Sequence, residues 1–101
     1  MPYEIYETEV FSVLYKNMEK KEQEWVDKIK FQLKENPSAG KPLRYEWFRE
    51  KKFENKRLYY LIYSNMKRVL LVSFGSKKYQ QSVINHILEN KERYKKIIES
   101  V

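Results

Sequence analysis

Two runs of strand-forming residues, Arg57–Tyr63 (RLYYLIY) and Arg68–Phe74 (RVLLVSF), are separated by only Ser64-Asn65-Met66-Lys67. Each run is too short and too rich in β-branched and aromatic residues for a helix. The polar link is short enough to force the runs side by side, so the pair reads as a β-hairpin. Arg57, Tyr59, Leu61 and Tyr63 share one face of the first strand by alternation, and Leu58, Tyr60 and Ile62 take the other. The second strand is apolar on both faces apart from Ser73, which marks it as central or covered on both sides. The hairpin begins at Lys56-Arg57 and leaves through Gly75-Ser76 into Lys77-Lys78-Tyr79. An antiparallel pair brings those basic ends together, where clustered cations and an aromatic hydroxyl suit a phosphate-rich ligand.

The flanking sequence supplies layers for this sheet. Tyr3–Thr8 reads as a short strand, and Thr8 is a candidate helix cap with Glu9 in the first turn. Phe11, Leu14, Tyr15 and Met18 recur at helical spacing. A second helix is predicted from Lys20 to Glu35, with Trp25, Ile29 and Leu33 as its stripe and Val26 widening it. Phe31 lies off that stripe, either as a partner contact or as part of a broader core face. Asn36-Pro37-Ser38-Ala39-Gly40 ends the helix. Lys41-Pro42-Leu43 leads into a strand over Arg44–Lys52, whose register the pattern leaves open: either Arg44 or Arg49 points towards the basic end. After Ser76 the period changes to 3.6, with Val83, Ile84, Ile87 and Leu88 on one face and Tyr94, Ile97, Ile98 and Val101 on a later one. This segment is either two helices divided at Asn90 or one helix. The order β-α-α-β-β-β-α(-α) predicts an α+β fold: an N-terminal strand and helical hairpin on a small antiparallel sheet, then C-terminal helix or helices. The 101 residues are read as one domain.

Charge narrows the partner. Lys41–Lys78 carries eleven Lys/Arg against three Glu, while the other residues carry ten basic and eleven acidic groups. The whole excess of the +7 chain sits on the strand-rich middle, the footprint of a surface for a polyanion. Glu46 and Glu50, among those cations, read as salt-bridged surface positions. With no cysteine, disulfides and thiolate metal sites are excluded, and no Asp/Glu/His cluster has metal-ligand spacing. His86 is the single histidine, which rules out a two-histidine nuclease; two glycines cannot build a Gly-rich phosphate loop. No run is long enough to span a membrane, and MPYEIYETEV lacks a basic n-region, so a cytoplasmic protein without cofactors or metals is expected.

The order of elements, with GKPLRYEWFR, KRLYYLIY and VLLVSFGSKKYQQ over Gly40–Gln81, resembles the RelE/ParE superfamily of toxins from type II toxin–antitoxin systems, the HigB-like branch most nearly. The resemblance implies a metal-independent, ribosome-dependent mRNA endonuclease that uses the RNA 2′-hydroxyl as nucleophile. It also implies a toxin that is monomeric when free and joins a cognate antitoxin in a hetero-oligomer. Carried over by position, Arg57 would stabilise the charged phosphate. Lys77 and Lys78 would hold phosphate or supply a proton. Tyr79 would act as acid or base, or stack on a base. Arg44, Arg49, Lys51, Lys52, Lys56 and Tyr59 are the candidate RNA contacts on a basic concave sheet. Two departures stand beside the match: no His lies near the strand exit, and the region after Lys78 is longer than in minimal members. The same resemblance admits a ParE-like gyrase-inhibiting toxin or a non-enzymatic binding module.

Overall fold

A computed structural model describes residues 2–101. Its elements are β1 (Glu4–Glu7), α1 (Glu9–Lys16), α2 (Lys20–Glu35), a 3-10 turn (Pro37–Ala39), β2 (Lys41–Leu43), β3 (Tyr45–Phe53), β4 (Lys56–Tyr63), β5 (Arg68–Ser76), a second 3-10 turn (Lys77–Tyr79), α3 (Gln80–Glu89) and α4 (Lys91–Glu99). The five strands form one sheet in the order β1-β5-β4-β3-β2. All neighbours are antiparallel except β1, which runs parallel to β5. The α+β architecture expected from the sequence is therefore present.

Local chemistry explains the boundaries. Thr8 caps α1, its Oγ1 accepting from the Phe11 N–H at 3.0 Å. α2 spans the predicted residues, with Val26, Ile29 and Leu33 buried. Trp25 is only partly buried and packs on Phe53 with ring centroids 5.0 Å apart. Asn90 does divide the C-terminal segment into two helices, and its side chain donates to the His86 carbonyl at 2.8 Å. β5 lies between β1 and β4 and is covered on both faces, as its apolar run requires.

The strand expected over Arg44–Lys52 is present as β3, and the Lys41-Pro42-Leu43 lead-in is itself a strand, β2, paired with it. Arg44 takes a left-handed φ of 68° and turns the chain, so that Leu43 faces Tyr45 across the new pair. Pro42 pairs with Arg49, which leaves Glu46–Phe48 as an excursion of β3 against β2. The Arg49 guanidinium closes it, with Nε on the Glu46 carbonyl at 2.9 Å and Nη1 on the Gly40 and Ser38 carbonyls at 2.8 and 3.1 Å.

Three layers result. α1 and α2 cover the sheet face that carries Leu58, Tyr60, Ile62 and Phe74. α3 and α4 cover the other, against Phe48, Tyr59, Leu61 and Val72. The second contact limits how much of the expected basic concave sheet is exposed. The longer C-terminal region folds back over that face, because Ile84, Ile87 and Ile98 need a surface to bury against. Beyond α3 the same face ends in the polar residues of β3 and β4.

Candidate nucleic-acid site

That end is where β3 stops, β4 starts and β5 leaves the sheet. Lys52 lies opposite Arg57, and Arg57 lies opposite Gly75. Directly opposed residues project to the same face, so Lys52, Arg57 and the Gly75 position form one row. A Cβ at Gly75 would meet no atom within 4 Å, so space lies open beside the arginine on the β5 side. The next row inward holds Glu50 and Tyr59, also directly opposed. Past Gly75, the Lys77–Tyr79 turn crosses back: the Lys77 N–H donates to the Asn55 carbonyl at 2.8 Å, and Ser76 Oγ accepts from the Lys78 N–H at 3.2 Å. Exposed Lys52, Lys77, Lys78 and Tyr79 thus rim a mouth with Arg57 at its floor. The Lys78 ammonium sits over the Tyr79 ring, 5.7 Å from its centroid.

The floor is a buried polar cluster. The Arg57 side chain is 7% exposed and that of Glu50 is 10%, with Nε and Oε1 3.9 Å apart. Arg57 Nη1 also donates to the carbonyls of Lys56 and Glu54 at 2.9 and 3.2 Å. Gln80, the first residue of α3, donates from Nε2 to the other oxygen of Glu50. The Tyr59 hydroxyl is buried without a hydrogen-bond partner. Burial, then the charge of Glu50, pushes its pKa up to about 12 against the opposing pull of Arg57. Tyr59 therefore stays a neutral phenol near neutral pH and cannot act as a phenolate base.

Of the residues singled out in the sequence, Arg57, Lys52, Lys77, Lys78 and Tyr79 come together. The others do not, each for a physical reason. Arg44 sits at the far end of β3, roughly 25 Å away at ~3.3 Å per strand residue. Arg49 is buried and spent on main-chain carbonyls and on Glu46. Lys56 faces the α2 side, where its ammonium bonds the buried Glu22 and lies over Phe74. Lys51, paired with Leu58, also projects to that side. Tyr59 shares the face of Arg57 but lies beneath it, fully buried, so its expected RNA contact gives way to a place in the floor. Glu50 and Gln80 were missed as site residues: strand alternation puts Glu50 on the Arg57 face only once the β3 register is known. Glu50, read as a surface carboxylate, is buried. A groove of about 630 Å³ between α1, β5 and α3–α4 lies elsewhere; its lining carries a single Lys or Arg, Arg93, too little charge for phosphate chemistry.

No protein-family model and no curated protein sequence matches the chain. Solved structures do. A double arginine-to-alanine variant of Escherichia coli toxin RelE, in the free state, superimposes with a TM-score of 0.71 at 19% identity, over 80% of this chain and 90% of that one. The toxin–antitoxin complex RelBE2 from Mycobacterium tuberculosis gives 0.65 at 22% identity, over 75% and 99%. The intact E. coli RelBE toxin–antitoxin complex gives 0.65 at 19%, over 73% and 95%. The chain therefore has the RelE fold.

Proposed function

We propose that this protein is a RelE-like toxin of a toxin–antitoxin system, an endoribonuclease that cuts mRNA on the ribosome, and that it stands nearest the HigB-like branch. The observation that carries the reading is the convergence of Arg57, Lys52, Lys77, Lys78 and Tyr79 at one end of a RelE-type sheet. The motifs over Gly40–Gln81 support the branch. In the proposed reaction the 2′-oxygen of one nucleotide bonds to the adjacent phosphorus while the bond to the 5′-oxygen of the next breaks. The 2′-hydroxyl proton passes to a base, and the leaving 5′-oxygen receives one from an acid. Arg57 stabilises the doubly charged phosphorane, Lys52 and Lys77 hold flanking phosphates, and Lys78 and Tyr79 exchange the protons. The nucleophile belongs to the substrate, and metal independence is carried over from the family resemblance. The exposed Tyr79 ring offers a stacking surface for a base.

The partner follows from the same charges. The RelE structures that this chain resembles include complexes with antitoxin. Here we infer a cognate antitoxin whose acidic segment neutralises the rim formed by Lys52, Lys77 and Lys78.

Toxicity on induced expression, with mRNA ends mapped in the same cells, tests the reading. Codon-phased cuts are expected. Arg57→Ala should lower the cleavage rate about a hundredfold to a thousandfold, the loss typical of removing one charge-stabilising donor. Toxicity with broken DNA and intact mRNA would overturn the nuclease in favour of a gyrase poison. Binding without cleavage or toxicity would leave a non-enzymatic module.

A further inference from the structure

The proposed reaction needs Arg57 on a phosphate, yet its guanidinium is buried against a carboxylate. We propose that Glu50 is an internal occupant of the phosphate seat, holding Arg57 in a closed state that an RNA phosphate must displace, with Gln80 fastening Glu50 in place. The inference rests on the reading of this site as an RNA-binding one.

Three features support it. First, the pair is loose and single-ended: one guanidinium nitrogen stands 3.9 Å from one carboxylate oxygen, not the two short parallel bonds of a forked Arg–carboxylate pair. A phosphate, with several oxygens and a full charge, competes well against such a contact. Second, the main chain holds the rest of the arginine. Carbonyls of Lys56 and Glu54 fix Nη1, so the guanidinium stays aimed at the seat when its acidic neighbour leaves. Third, the carboxylate is held from the segment that carries the rim. Gln80 follows directly on Lys77–Tyr79, and Lys77 is stapled to the β3–β4 turn through Asn55. RNA gripped by Lys77–Tyr79 therefore bears directly on the residue that fastens Glu50. The closed state leaves the adjacent Tyr59 hydroxyl buried and unbonded, a cost that narrows its advantage over an open one.

The test is fluorescence polarisation of the full chain with a short fluorescein-labelled RNA oligonucleotide carrying 2′-O-methyl groups, which cannot be cleaved. Glu50→Gln should bind about tenfold more tightly than the wild type, equivalent to ~1.4 kcal/mol. Gln80→Ala should shift affinity in the same direction by less. Both gains should vanish when Arg57→Ala is added, since only the arginine is released. Glu35→Gln removes the same charge from an exposed carboxylate at the end of α2, on the other side of the sheet, and should change little. Unchanged or weaker binding by Glu50→Gln, with native circular dichroism, overturns the proposal, as does a gain that survives in Arg57→Ala. If Glu50→Gln fails to fold, Gln80→Ala decides alone by the same criteria. A tighter Glu50→Gln in a protein that cuts no mRNA would leave the occupied seat standing and remove the nuclease. Codon-phased cleavage without the gain would do the reverse.

Discussion

Replacing Tyr60 with Phe tests how the sheet is fastened to the end of α2. The Tyr60 hydroxyl donates to the Pro37 carbonyl at 2.7 Å and accepts from the Gly40 N–H at 2.9 Å. Burial raises the pKa of this phenol, against the Gly40 hydrogen bond and Arg49, so it is a neutral donor. The ring fits only because residue 40 is Gly: a Cβ there would lie 2.7 Å from the hydroxyl and 2.5 Å from the Glu50 carbonyl. Tyr60→Phe deletes both bonds and leaves the buried Gly40 N–H without an acceptor. A net hydrogen bond is worth about 1 kcal/mol and an orphaned buried donor costs about 1–3, so the expected loss is ~2–4 kcal/mol. For a domain near this size that lowers Tm by about 8–30 °C. Urea unfolding followed by Trp25 and Trp47 fluorescence should show a lower midpoint with an unchanged slope. A loss below ~0.5 kcal/mol would refute the reasoning, because a solvated hydroxyl loses little on removal. Tyr60 faces α2, on the opposite side of the sheet from Arg57. While still folded, the variant should bind RNA as the wild type does; loss of binding would show that the two faces are not independent.

Gly75→Ala should be neutral or stabilise by up to about 1 kcal/mol, since φ is ordinary, the Cβ enters open space and the unfolded chain loses freedom. A clear drop in Tm would show that the space beside Arg57 is filled. Acid sensitivity should come from Glu22 and Glu7. Burial alone would raise the Glu22 carboxyl, but hydrogen bonds from Lys56 and the Glu19 N–H outweigh it and hold the folded value below 4.5. Burial likewise opposes, and Lys30 and Ser12 outweigh it, at Glu7. Both folded values are depressed, so this stability is fully present above pH 4.5 and is lost as pH falls through them. Urea midpoints below pH 4.5 should fall less steeply for Glu22→Gln than for the wild type; parallel curves would contradict the assignment.

The legible parts of the chain were those governed by local rules. Thr8 announces a helix start, Asn36-Pro37 an end, and the alternation in Arg57–Tyr63 assigns its faces without further information. β2 was hidden because its turn uses Arg44 at positive φ, where Gly or Asn would have given the signal. Arg49 was misplaced for a related reason. Its charge suggests a surface, whereas the carbonyls it satisfies exist only once the chain has turned. Which sheet face α3 and α4 cover is likewise a tertiary decision, since a stripe of Ile84 and Ile87 specifies burial but not against what. The convergence of Arg57 with Lys77–Tyr79 was readable because a hairpin fixes it by register. The opposing Glu50 was not, because it needed the correct register of β3.

Arg68 touches both ends of the chain. Its Nε lies 3.5 Å from Glu4 in β1, and its Nη1 donates to the Ile98 carbonyl of α4 at 2.9 Å. β3, β4 and β5 close on one another through short turns and can assemble early, while β1 must wait for a partner more than sixty residues later. On the ribosome this means that β1 and its helical hairpin emerge first and stay without a strand partner until β5 is made. β1 covers the outer edge of β5, so until β1 docks that edge is open to pairing with another copy. Slow docking of β1 once β5 is made would lengthen that exposure, so misassembly is expected to rise when β1 is weakened.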